Sequence, residues 1–147
     1  MVNFPDDNSD YAITELSLEN SEKRAIRTFK HDETYAIKVK LTCRKKLADV
    51  VIGISITDNR GKRITSMVLP ISDKIELGAT KEFTALMPAH LFMPNEFFIS
   101  VATHIPNVQL FSEHTNALSF KIIDNGSEFY KYSGDLGYVF TKNEWIY

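Results

Sequence analysis

Apolar residues in this chain recur mostly at every second position, and that period constrains the fold more than any other feature. Tyr35, Ile37, Val39 and Leu41 alternate with Ala36, Lys38, Lys40 and Thr42. Val50, Ile52, Ile54 and Ile56 alternate with Val51, Gly53, Ser55 and Thr57. Phe97, Ile99, Val101 and Thr103 alternate with Phe98, Ser100, Ala102 and His104. Successive strand side chains point to opposite faces, so each run reads as a strand with one face in a core and one in water. β-Branched residues enrich the second run, as strands prefer. No long segment shows helical spacing, and there is no internal repeat.

The breaks between runs are turn chemistry. Asp58-Asn59-Arg60-Gly61 predicts a tight turn in which Gly61 takes a positive φ. Ile64 to Leu69 is the returning strand, stopped by Pro70. Ala79 to Met87 and Ala117 to Ile123 are further strands, the second closed by Asp124-Asn125-Gly126-Ser127. Pro88 to Phe92 is read as one short helical turn, and Ile105 to Glu113 as a loop. A last strand is placed at Tyr138 to Ile146, while the polar Met1 to Asp10 reads as a linker or frayed arm. About eight short antiparallel strands at this spacing predict an all-β sandwich over residues 11–147.

With 147 residues, 44% of them hydrophobic and 24% charged, the chain is expected to be one globular domain that folds without a metal or disulfide. The formal net charge of −2, with basic residues dispersed, argues against a nucleic-acid footprint. The single cysteine, Cys43, excludes an internal disulfide and falls in phase with the apolar positions before it, so it is read as structural. No apolar run approaches the length of a membrane span, and the acidic start lacks signal-peptide order. The expected location is cytoplasmic.

Catalytic constellations are not legible. There is no phosphate-cradling glycine loop, no dinucleotide fingerprint and no nucleophile elbow. His31, His90, His104 and His114 are scattered, and Asp6-Asp7 and Asp32-Glu33 read as solvated loop charge. The chain is therefore expected to be neither an enzyme nor a holder of metal or cofactor.

A binding surface is more legible. Gly53, Ser55 and Thr57 on one strand, and Ser100, Ala102 and His104 on another, are small or polar outward residues. If the two strands are neighbours, they floor a shallow polar groove with His104 at its edge as donor or acceptor. Arg60 and Arg63 stand at the adjacent turn, where a guanidinium would pair with an anionic group. The alternative is ordinary solvent-facing strand. The aromatics Phe129, Tyr130, Tyr132, Tyr138, Phe140, Trp145 and Tyr147 are dense in the tail. They would either stack on sugar or pack as an edge on the sandwich or a partner protomer.

Four stretches carry a family resemblance. Val50-Val51-Ile52-Gly53-Ile54-Ser55-Ile56-Thr57-Asp58-Asn59-Arg60-Gly61 is a strand ending in aspartate, turn and glycine. Leu91-Phe92-Met93-Pro94-Asn95-Glu96-Phe97-Phe98-Ile99-Ser100-Val101 has proline before an aromatic strand, with Asn95 where glycine is usual. His114-Thr115-Asn116-Ala117-Leu118-Ser119-Phe120-Lys121-Ile122 and the tail Gly137-Tyr138-Val139-Phe140 with Trp145 complete the set. Together they resemble the carboxyl-terminal domain of Wzt-type ATP-binding subunits of O-antigen polysaccharide ABC transporters. The resemblance implies an immunoglobulin-like or jelly-roll sandwich that binds the finished, in some members terminally capped, O-antigen polysaccharide at the inner face of the bacterial inner membrane. It also implies a homodimer, with the last strand exchanged between protomers in some members, and nucleotide-binding and transmembrane subunits of the transporter as partners. The nucleotide-binding domain does not precede the module in this chain, so no ATP hydrolysis is expected. The residues expected to contact glycan are Ser55, Thr57, Ser100, His104, Arg60 and Arg63. The second reading, independent of sugar, is a structural or dimerisation sandwich that docks a protein partner.

Overall fold

The computed structural model describes residues 1–124, 137–141 and 143–147. Among them are strands β1 (Val2–Asn3), β2 (Tyr11–Asn20), β3 (Thr28–Lys30), β4 (Tyr35–Cys43), β5 (Val51–Thr57), β6 (Arg63–Pro70), β7 (Thr80–Met87), β8 (Asn95–Ile105) and β9 (Gln109–Ile123), and no helix. They form two sheets, one ordered β1-β2-β4-β7 and the other β3-β9-β8-β5-β6. All pairings are antiparallel except β3 with β9. The all-β sandwich read from the sequence is what the chain forms, and no helix is long and apolar enough to cross a membrane among the described residues.

The alternating runs fill the space between the sheets. Tyr35, Ile37, Val39, Leu41 and Cys43 of β4 face Ile52, Ile54 and Ile56 of β5 and Phe97, Ile99 and Val101 of β8, all buried. Phe29, Tyr35, Phe92, Phe97 and Phe120 form a connected ring cluster with centroids 4.5–6.2 Å apart, the separation aromatic pairs favour. Thr103 is the polar exception: its hydroxyl donates to the Tyr11 carbonyl at 2.6 Å and ties the two sheets together. Cys43 is fully buried, as its phase predicts.

Four local expectations are corrected. First, the arm is not frayed. Val2 and Asn3 pair with Leu16 and Glu15, Phe4 stacks on His114 with centroids 3.7 Å apart, and Asp7 accepts from the Ser112 hydroxyl at 2.7 Å. Asp6 pairs with Arg44. Second, Pro88 to Phe92 is a turn and not helical, with His90 at φ 59°. Asn95 has no positive φ and opens β8, so no glycine geometry is required there. Third, most of the Ile105 to Glu113 loop is strand, because β8 runs into β9 through a tight turn with Asn107 at φ 61°. Fourth, Tyr138 to Ile146 is not a strand in its described residues. Val139 makes one isolated bridge, to Phe92. The turn residues Asn125 to Ser127 and the aromatics Phe129, Tyr130 and Tyr132 lie outside the described residues.

Candidate functional site

β5 and β8 are neighbours, paired Gly53 to Ala102, Ser55 to Ser100 and Thr57 to Phe98. Their outward residues therefore share one surface, the outer face of the five-stranded sheet. β6 extends it on one side, with Ser66 opposite Ser55 and Val68 opposite Gly53. β9 extends it on the other, with Glu113 opposite Ala102. The result is an open groove of about 1000 Å³, lined by Gly53, Ser55, Thr57, Arg63, Ser66, Ser100, Ala102 and His104 among others.

Three serines stand in one row across three strands: Ser66, Ser55 and Ser100. Directly opposed strand residues lie about 5 Å apart, so the row presents hydroxyls at intervals near the width of a sugar ring. The Ser100 hydroxyl already accepts from the Asn116 amide at 2.9 Å, which holds the bulge of β9 and leaves its own O–H to donate outward. That bulge falls where Ile99 pairs with Leu118 but Val101 pairs with His114, and Asn116 there has φ 50°.

Gly53 gives the floor its depth. A β-carbon at that position would stand 3.2 Å from His104 Cε1. The imidazole thus occupies space that any larger residue would contest, and lies over the floor instead of standing away from it. Among the described residues no Phe, Tyr or Trp lines the groove. Its rim is aliphatic instead: Val68, Val108 and Leu110 are 63%, 76% and 56% exposed.

Arg63 reaches the groove through an irregularity. Ile56 pairs with Thr65 but Thr57 pairs with Arg63, so Ile64 is an extra residue and Arg63 takes the place opposite Thr57. No carboxylate pairs with Arg63 among the described residues. Arg60 is not brought into the groove: it sits in the turn beyond, where its amide donates to Asp58 Oδ1 at 2.9 Å. The structure thus gathers Ser55, Thr57, Ser100, His104 and Arg63 of the sequence-derived set and leaves out Arg60. Thr57 Oγ1 is buried and has no hydrogen-bond partner among the described residues. Ser66, missed in the sequence, joins the row because it faces Ser55.

The turn that carries Arg63 is built on Asp58. Its amide donates to the Lys62 carbonyl, Gly61 donates back to the Asp58 carbonyl, and Gly61 has the positive φ (82°) expected of it. The Asp58 carboxylate accepts from the Tyr138 hydroxyl at 2.6 Å and from the Lys62 amide at 2.8 Å, besides the Arg60 amide. The Tyr138 bond foremost, with the two amides, holds this carboxyl below its usual 3.8 in spite of burial. A carboxyl depressed in the folded state contributes stability fully present above its unfolded value, lost as pH falls through the folded value. The expected result is an Asp58 carboxyl-carbon NMR titration with a midpoint below 3.8, and a shallower acid limb of the pH-stability curve in Asp58→Asn. An ordinary midpoint would remove the basis for this assignment.

The Wzt C-terminal domain family model matches residues 7–134. The chain belongs to the Wzt C-terminal domain family. Its fold agrees: the crystal structure of the C-terminal domain of Wzt superimposes with a TM-score of 0.71 at 11% identity, over 95% of this chain and 85% of that one. Two enzyme structures overlap less. A β-glucosidase from Listeria innocua in complex with glucose gives a TM-score of 0.42 at 13% identity, over 76% of this chain and 16% of the enzyme. A β-glucuronidase from Parabacteroides merdae gives 0.40 at 16% identity, over 77% and 13%. No curated protein matches. Within this Wzt C-terminal domain, no group of three or more His, Cys, Asp or Glu is placed to hold a metal ion among the described residues.

Proposed function

We propose that this chain is a non-catalytic carbohydrate-binding module that recognises O-antigen polysaccharide for export by an ABC transporter, and that the groove on the five-stranded sheet is its seat. The observation that carries the reading is the register. It lays the hydroxyls of Ser66, Ser55 and Ser100 side by side beside His104, with Arg63 at one end, on the surface of a Wzt C-terminal domain. Hydroxyls and an imidazole donate to and accept from sugar hydroxyls. The aliphatic rim meets sugar C–H faces, and Arg63 would pair with an anionic substituent such as a terminal cap. The module would act in the cytoplasm beside the nucleotide-binding and transmembrane subunits of the transporter, as a homodimer. The exposed Trp145, Ile146 and Tyr147 favour a partner protomer for the tail.

The test is an NMR titration of the domain with purified O-polysaccharide from its own source strain, with and without the terminal cap. Shifted amides should cluster on β5, β6, β8 and the β9 bulge. Arg63→Ala should weaken binding of an anionic glycan about tenfold or more, as loss of a charge-assisted bond does, and His104→Ala about twofold to tenfold. If both variants bind as the parent does, the groove is not the site. A folded domain that binds neither glycan form would leave an assembly role as the better account.

A further inference from the structure

We infer that Tyr138 is a positioning residue for the groove, linking the docking of the C-terminal segment to the grip on glycan through the Asp58 turn. This inference rests on the glycan reading of the groove.

The segment 137–140 docks at the end of the sandwich by several contacts. Phe140 donates its amide to the Leu91 carbonyl at 3.0 Å, and Met93 donates to the Tyr138 carbonyl at 2.7 Å. These bonds flank the Val139–Phe92 bridge. The Tyr138 ring meets Phe97 edge-on, with centroids 6.1 Å apart. Its hydroxyl then reaches Asp58, a buried carboxylate eighty positions away in sequence.

Asp58 is where two functions of the fold meet. One carboxylate oxygen, Oδ1, takes the amides of Arg60 and Lys62 and so shapes the turn between β5 and β6. The other, Oδ2, accepts the Tyr138 hydroxyl. The same turn delivers Gly61 and Arg63 to one end of the groove, where Arg63 stands opposite Thr57 because of the extra residue at Ile64. Without the Tyr138 bond the carboxylate is held on one oxygen alone, by the two turn amides. The turn that aims Arg63 then keeps its internal bonds but loses its tie to the C-terminal segment. Docked tail and correctly aimed Arg63 are thus two readouts of one hydrogen-bonded element.

Linkage makes the effect reciprocal: if the docked tail strengthens glycan binding, bound glycan must stabilise the docked tail by the same factor. Neither Tyr138 nor Asp58 lines the groove, so the effect travels through the turn and not through ligand contact.

The experiment uses the full 147-residue chain and Tyr138→Phe, which removes the hydroxyl and keeps the ring on Phe97. In the absence of glycan, amide exchange at Arg60 and Lys62 should speed up in the variant. With O-polysaccharide of the source strain as probe, Tyr138→Phe should weaken binding about threefold to tenfold. In an Arg63→Ala background it should add almost nothing, whereas its effect should add to that of Ser100→Ala, which sits away from the turn. Saturating polysaccharide should slow exchange at the Met93 and Phe140 amides of the parent. A merely structural tyrosine would lower the melting temperature and leave affinity unchanged at temperatures where both proteins are folded. Unchanged affinity in Tyr138→Phe, or full additivity with Arg63→Ala, overturns the coupling and spares the glycan reading. A folded parent chain that binds no polysaccharide overturns both.

Discussion

Replacing Phe97 by alanine is expected to lower the unfolding free energy by about 3–5 kcal/mol. The side chain is fully buried on β8. Its ring lies 4.8 Å from Phe92, 5.4 Å from Phe120 and 6.1 Å from Tyr138, centroid to centroid. It is thus the point where three parts of the chain converge: the loop before β8, the long strand β9 and the C-terminal segment. Truncation removes a large apolar group from water-free surroundings, and close-packed neighbours fixed in two sheets collapse only in part, so a cavity remains. A domain of this size has a total stability of roughly 5–15 kcal/mol, so the loss is a large fraction of it. Urea unfolding with a fixed slope measures it. Phe98→Ala is the internal control, because Phe98 is only half-buried on the outer face and should cost much less. Equal losses at the two positions would mean that β8 does not present its faces as described.

The burial of Phe97 follows from the alternation of β8 alone, and alternation is where the sequence was most legible. β4, β5 and β8 keep an unbroken period of two, so their extents, their inward faces and the burial of Cys43 could be read directly. Two elements that escaped in whole or in part, β2 and β9, carry bulges. In β2, Ile13 pairs with Leu41 but Glu15 pairs with Lys40. Thr14 is therefore an extra residue, and the buried positions switch from Tyr11 and Ile13 to Leu16 and Leu18. A change of phase within ten residues looks like no period at all. In β9 the bulge near Asn116 and a second shift between Thr103 and His104 of its partner β8 broke the pattern in the same way, and Pro106 completed the appearance of a loop.

The groove repeats the lesson. Ser55, Thr57, Ser100 and His104 follow from alternation plus one assumption, that β5 neighbours β8. Ser66 and the position of Arg63 depend on register between β5 and β6, and the extra residue Ile64 sets that register. No single-strand pattern contains it. Arg60 was placed by sequence proximity to the turn, whereas hairpin geometry turned its backbone toward Asp58 and left it outside the groove. The pinned arm was hidden for another reason. Its anchors, Phe4 on His114 and Asp7 on Ser112, join residues more than a hundred positions apart.

Gly53→Val is expected to separate stability from binding more sharply than any other single change. Glycine in a strand is less stable than a side-chain-bearing residue by about 0.5–1 kcal/mol, and valine is among the best strand formers. Gly53 has no positive φ, so the backbone accepts the substitution without strain. The denaturation midpoint should therefore hold or rise, offset in part by contact with the imidazole. On the proposed seating of glycan in the groove, binding should move the other way, with O-polysaccharide affinity falling more than about tenfold. Two causes combine. The new β-carbon would meet His104 Cε1 at 3.2 Å, so the ring must shift, and the added methyls fill the floor between Val68 and Ala102. The double variant Gly53→Val with His104→Ala distinguishes them. If displacement of the imidazole is the whole cause, the double variant should bind like His104→Ala alone. If the depth of the floor matters, binding stays lost although the contested ring is gone. A Gly53→Val protein that folds and binds polysaccharide like the parent would place the glycan elsewhere on the sandwich, because no ligand seated in this groove can ignore a side chain grown from its floor.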